Sequence, residues 1–234
     1  MSRVIIPLDV PSTAEALELV ETLGEGATFY KVGLELYTRA GPAVVEELRR
    51  RDKRVFLDLK LHDIPTTVAR AVSVASELGV DLLTVHVAGG PSMLQAAAEA
   101  RSGDLALLGV TVLTSMSPDE MGTVWDRDIR SVREEVGRLA RLASDARLDG
   151  VVASALEASW LRTQLGEDLL IVTPGIRPAG ADQDDQNRVS TPAEAVRAGS
   201  DYLVIGRPIT RAPDPAAALS AVLREIDAAG AATL

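Results

Sequence analysis

Residues 55–65 read "VFLDLKLHDIP", and this stretch decides how the rest of the chain is read. An apolar run of strand-like character meets Asp58, Lys60 and Asp63, three charges within six residues, where a strand should be ending. On a strand, residues two apart share a face, so Phe56, Asp58 and Lys60 point one way while Val55, Leu57 and Leu59 point the other. The face carrying Phe56 becomes charged at its C-terminal end.

Working outward, seven more apolar runs repeat the pattern: "RVIIPLD", "TFYKVGL", "LLTVHVA", "LALLGVTVL", "GVVAS", "LLIVTPGI" and "YLVIGR". Between them, stretches such as "TAEALELVETLG", "PTTVARAVSVASELG" and "VREEVGRLARLAS" place apolar residues at helical spacing, with charge on the other face. Several open on Ser, Thr or Pro and close near Gly. Eight β-α repeats without an aperiodic linker predict an α/β fold, a single (β/α)8 TIM barrel over residues 1–234; the same elements could also build an open doubly wound sheet. In a barrel of this kind the reacting groups sit at the C-terminal ends of the strands, and phosphate is often held by the loops after strands seven and eight. Those positions carry Asp9, Lys31, Asp58 and Lys60, then "TPGIR" and "IGRPIT".

Composition narrows the function. A formal net charge of -10 and 3% aromatic residues argue against a nucleic-acid groove or a base-stacking platform. Apolar runs are too short to cross a bilayer, so no membrane partner is expected. "MSRVIIPLDV" lacks the apolar core of a secretory signal, and the absence of cysteine removes disulfide and thiolate chemistry; the expected location is cytoplasmic. With His62 and His86 the only histidines, no cysteine and no H-E-x-x-H spacing, no metal site is expected. Of 24 basic residues only Lys31, Lys53 and Lys60 are lysine. Where arginine serves almost everywhere, a lysine points to a task that needs an amine: an ammonium is a compact charge that can give up its proton, and a guanidinium cannot.

Adjacent strands lie about 4.8 Å apart, which puts Asp9 and Lys31 within reach of Asp58 and Lys60. Alternating signs offset the cost of desolvating each charge. Purely structural strand-end ion pairs are the plainer reading of any one of these residues, and Asp63 could simply favour the dipole of a helix opened by Pro65. Taken together, four charges on three neighbouring strands read as a site. Residues 173–188, "TPGIRPAGADQDDQNR", are too polar for core and of a length usual for either a lid or a disordered segment; an inert surface excursion is the plainer reading, and the position after strand seven favours a lid. Arg177 and Arg207 can fork onto phosphate oxygens, and Gly206 lets backbone amides approach closely. His62, His86, Trp125 and Trp160 read as packing residues.

"FLDLKLHDIPTTV" resembles the signature of the orotidine 5'-phosphate decarboxylase family, Asp-x-Lys-x-x-Asp-Ile-Pro, and "PLDV", "YKVGLELYTRAGP", "VTVLTSM", "DGVVAS", "VTPGIRP" and "YLVIGRPIT" fit it in order. The resemblance implies conversion of orotidine 5'-phosphate to UMP and CO2 in pyrimidine biosynthesis, without a cofactor. Lys60 would be the proton donor, with Asp58 beside the substrate carboxylate and Asp63 as a second acid holding the ammonium. Asp9 and Lys31 would hold the ribose hydroxyls. The resemblance also implies a homodimer in which Asp63, Ile64 and Thr67 reach the neighbouring subunit's site. Thr114 and Ser117 would contact the pyrimidine, Pro174 to Arg177 would lie near the base, and Gln186 would close over the phosphate. Related sugar-phosphate decarboxylases and synthases share Asp-x-Lys-x-x-Asp but use magnesium, and a non-catalytic nucleotide-phosphate sensor is the reading from another class. A sensor would have no use for an amine placed between carboxylates.

Overall fold

The computed structural model describes residues 3–178 and 189–231. Eight parallel strands close into a barrel in sequence order. They are β1 (Val4–Pro7), β2 (Phe29–Gly33), β3 (Arg54–Leu61), β4 (Leu82–His86), β5 (Ala106–Val110), β6 (Gly150–Val152), β7 (Leu170–Thr173) and β8 (Tyr202–Val204). Closure comes from pairing β1 with β8, Val4 opposite Leu203, so the doubly wound alternative is set aside. Each predicted helical stretch forms its helix: Thr13–Leu23, Pro65–Glu77 and Val132–Asp145 among them. In the helix Pro65–Glu77 the buried residues Val68, Val72 and Ala75 recur at helical spacing, which is the stripe that packs against the sheet. Among the described residues no helix is long and apolar enough to cross a membrane.

Strand alternation divides the core in two. Ile5, Phe29, Phe56, Leu82, Leu108, Val172 and Val204 fill the barrel, while Ile6, Tyr30, Val55, Leu57 and Leu83 belong to the larger cluster between sheet and helices. At the N-terminal end Arg54 closes the barrel. Its guanidinium lies 4.0 Å from the Phe29 ring centroid and its Nε donates to Asp81 at 2.8 Å.

Asp81, Asp149 and Asp201 each stand one residue before an even-numbered strand and perform the same task. Their carboxylates accept the amides of Val55 (2.9 Å), Leu107 (2.7 Å) and Ile171 (2.7 Å) on the preceding strand. Each aspartate amide donates back to the carbonyl of that same residue, and each carboxylate also pairs with an arginine: Arg54 and Arg49, Arg101, and Arg162. The acid thereby occupies backbone donors that a strand start would otherwise leave open, and clips neighbouring strands into pairs.

Candidate active site

On β2, Phe29, Lys31 and Gly33 share the inward face, and on β3 Phe56 and Asp58 do so. Phe56 fills the barrel, and the charges rise directly above it. Lys31 Nζ donates to Asp9 Oδ1 at 3.0 Å and lies 3.7 Å from Asp58 Oδ2. Lys60 Nζ sits 2.8 Å from both carboxylate oxygens of Asp58. Asp9, Lys31, Asp58 and Lys60 thus form one chain of alternating charge. The side chains of Lys31 and Asp58 are only 12% and 13% exposed, so each depends on the other for compensation.

The β3 alternation that brings Lys60 inward is not regular. The β3–β4 register runs Leu57↔Leu83 and then Leu61↔Val85, so four steps on one strand meet two on the other. Lys60 takes a φ of 50°, the left-handed region that costs a non-glycine residue on the order of 1–2 kcal/mol. Its amide donates to Thr84 Oγ1 at 2.8 Å, and that hydroxyl in turn donates to Asp58 Oδ1 at 3.0 Å.

These groups wall a cavity of about 290 Å³ at the mouth of the barrel, near the lower end of the size range for small-molecule sites. Asp9, Lys31, Asp58, Lys60, Thr114, Pro174, Arg177, Gly206 and Arg207 all line it. Val110, Val152, Val172 and Val204 supply the apolar part of the wall. Arg177 is 8% exposed, with Nη1 donating to the Ile176 carbonyl at 3.1 Å. The ends of its loop are tied together, Arg177 N donating to the Ser190 carbonyl at 3.0 Å. Gln186 lies outside the described residues.

Four expected positions, Ser117, Ile64, Thr67 and Asp63, stand apart from the cavity. Ser117 is the N-cap of the helix Pro118–Trp125: its Oγ accepts the amide of Glu120, whose carboxylate returns a bond to the Ser117 amide. Ser117 thus sits in a capping box at the start of this helix, outside the cavity lining. Ile64 and Thr67 are exposed at the start of the helix Pro65–Glu77 and do not line the cavity. Asp63 is exposed too, and its Oδ1 accepts the Ile64 amide at 2.6 Å. Within one chain the Lys60 ammonium is therefore held from one side, by Asp58, and not between two acids. The chain turns away after Leu61 to enter the helix at Pro65, carrying Asp63 outward.

Some contributors were not singled out from the sequence. Thr84 is one; its signal was a polar residue two positions after Leu82, on the inward face of an otherwise apolar strand. Gly33 is another, since a Cβ there would stand 3.0 Å from Lys31 Nζ and 3.5 Å from Asp9 Oδ1. Nothing in sequence spacing announces that contact. His86, the packing histidine, has a buried Nδ1 with no hydrogen-bond partner among the described residues. Burial first, then the nearby His62 and Lys60 charges, hold its pKa below the ordinary imidazole value, against the pull of Asp58.

The sequence model described as Orotidine 5'-phosphate decarboxylase / HUMPS family matches residues 2–222. A relative from Moorella thermoacetica, named orotidine 5'-phosphate decarboxylase, is 51% identical over 233 residues, covering 96% of this chain and 92% of the relative. One of the same name from Shewanella sediminis is 49% identical, covering 97% of this chain and 98% of its own length. Among solved structures, the orotidine 5'-phosphate decarboxylase from Lactobacillus acidophilus superposes with a TM-score of 0.86 at 37% identity, covering 97% of this chain and 100% of that one. A family model spanning nearly the whole sequence, and relatives at about half identity along their length, identify this chain as a member of the Orotidine 5'-phosphate decarboxylase / HUMPS family.

Proposed function

We propose that this protein decarboxylates orotidine 5'-phosphate to UMP and CO2, a step of pyrimidine biosynthesis, using its own charged side chains and no cofactor. The observation that carries the reading is the Lys60 ammonium held 2.8 Å from both Asp58 oxygens at the mouth of the cavity, next to Lys31 and Asp9. In the proposed step the bond from C6 of the pyrimidine to the carboxylate breaks, and the electron pair stays on C6. The ring offers that pair no ordinary electron sink, so stabilisation must come from a preorganised positive charge aimed at the carbon. Lys60 supplies that charge and then transfers an Nζ proton to C6, recovering one from water afterwards. Asp58, beside the departing carboxylate, raises the energy of the bound substrate more than that of the neutral CO2 state.

Arg177 and Arg207 are assigned to the phosphate, where two guanidiniums roughly neutralise a dianion. Thr114 is assigned to the base, and Asp9 and Lys31 to the ribose hydroxyls. Binding energy at the phosphate then serves to organise the charges some distance away. Asp63, Ile64 and Thr67 are assigned to the site of a second copy of the chain. In support, Asp63, Ile64 and Thr67 are exposed and none of them lines the cavity of their own chain, which leaves them accessible to a second copy. In a homodimer, Asp63 of the second copy would supply the acid that flanks Lys60 from the open side.

Mixing the purified protein with orotidine 5'-phosphate in excess chelator and following the ultraviolet absorbance of the base tests the reading. Turnover is expected. A flat trace that recovers on adding magnesium would refute the cofactor-free mechanism, and a flat trace under both conditions would refute the assignment.

A further inference from the structure

Thr84 is fully buried in the middle of β4, on the inward face above Leu82, and is not part of the cavity wall. It has no direct access to a ligand. Both of its hydroxyl contacts nevertheless go to the reacting pair: Oγ1 accepts the Lys60 amide at 2.8 Å and donates to Asp58 Oδ1 at 3.0 Å. A hydroxyl is among the few side-chain groups able to accept from an amide and donate to a carboxylate at once.

What these two contacts control follows from the backbone. The Lys60 φ of 50° is unfavourable for a residue with a Cβ and persists only where the surroundings enforce it. The register shift between Leu57 and Leu61 marks the same place in the ladder. Hydrogen bonding of the Lys60 amide to Thr84 secures the bend from which the side chain departs, and the bond to Asp58 orients the carboxylate that receives the ammonium. Both ends of the Lys60 side chain are thus referred to one oxygen on a neighbouring strand.

We propose that Thr84 is a positioning residue, whose hydroxyl locks the left-handed bend at Lys60 and the Asp58 carboxylate in the register that aims the ammonium into the cavity. The inference rests on Lys60 being the proton donor of the proposed reaction. It predicts that the hydroxyl matters for the chemical step and hardly at all for holding the nucleotide.

The test compares Thr84→Val, which keeps the volume and removes the hydroxyl, with Thr84→Ser, which keeps the hydroxyl. The full-length protein is assayed for kcat and KM with orotidine 5'-phosphate and for UMP affinity by calorimetry. Thr84→Val should lower kcat by about ten- to a hundredfold, the range for a misaimed reacting group or a lost bond to a charge, with UMP affinity within about twofold. Thr84→Ser should recover most of that loss. Unchanged kcat in Thr84→Val would overturn the proposal. So would equal damage in both variants, which would assign the position to methyl packing, or parallel losses of kcat and UMP affinity, which would indicate a collapsed cavity. Should Thr84→Val not fold, Thr84→Ala against Thr84→Ser gives the same comparison. An inactive wild-type protein would remove the functional reading and this inference with it, whereas an active wild type with an indifferent Thr84→Val removes this inference alone.

Discussion

Lys60 occupies a position where charge alone is not enough. Its Nζ meets both oxygens of Asp58, a geometry that an arginine fork could satisfy electrostatically while holding its protons too tightly to give one away. Lys60→Ala should therefore lower kcat by a factor on the order of 10^4 or more, and Lys60→Arg should restore little of it. Single-turnover assays read the loss, and calorimetry should still find UMP binding in both variants; near-normal turnover in either would refute the donor role. The scarcity of lysine pointed at this residue and at Lys31, which also lies in the charge chain. It did not separate them from Lys53, which is 6% exposed and serves packing, with Nζ on the Gly24 carbonyl at 3.2 Å and Glu25 at 3.5 Å. A compact ammonium suits a buried backbone carbonyl as well as a reacting carbon, and composition has no means of telling these uses apart.

Elements matter here mainly through their ends. The helix Pro118–Trp125 begins at Ser117 with reciprocal bonds to Glu120, whose carboxyl is held below its ordinary pKa, first by the Ser117 amide and then by the hydroxyl. Ser117→Ala should cost stability and leave catalysis alone: a Tm lower by about 2–4 °C, with KM within about twofold. A large rise in KM would return Ser117 to the substrate. The short helix Arg207–Thr210 begins behind Gly206 at the cavity wall, where a Cβ on Gly206 would stand 3.0 Å from Pro7 Cγ. Arg207→Ala should raise KM for the phosphorylated substrate by about a hundredfold or more and lower kcat less, as expected for lost binding of a group remote from the chemistry. Steady-state kinetics check this, and an unchanged KM would contradict the phosphate role. At the other end of the barrel, Asp81, Asp149 and Asp201 recur one residue before β4, β6 and β8. That recurrence was visible in "GVDLL", "RLDGV" and "GSDYL", but its meaning depends on amides contributed by strands 26 to 42 residues earlier.

For the whole molecule, stability should fall with acid over two pH ranges. His86 has a depressed folded pKa, so below about 6.5 the unfolded chain binds the extra proton and stability falls as pH drops through that value. The second range belongs to carboxylates held low in the fold. Glu47 is held by Arg51, Glu194 by the Thr191 amide and hydroxyl, and Glu135 by Arg138 and Arg127 in spite of its burial. Their contribution is present above the ordinary glutamate range and lost as pH falls through the folded values. Urea midpoints should thus decline from pH 7.5 to 5.5 in the wild type and decline less in His86→Gln; equal declines would refute the His86 contribution. Periodicity alone determined the eight strands, the main amphipathic helices between them and the order of charges, because side-chain alternation and amphipathic spacing are local properties of the chain. Closure through β1 and β8, the left-handed bend at Lys60, the Thr84 bridge, the outward turn of Asp63 and the clearance at Gly33 were decided only by tertiary structure. Each depends on where a group from a distant part of the sequence comes to rest, and a linear pattern carries no such distances.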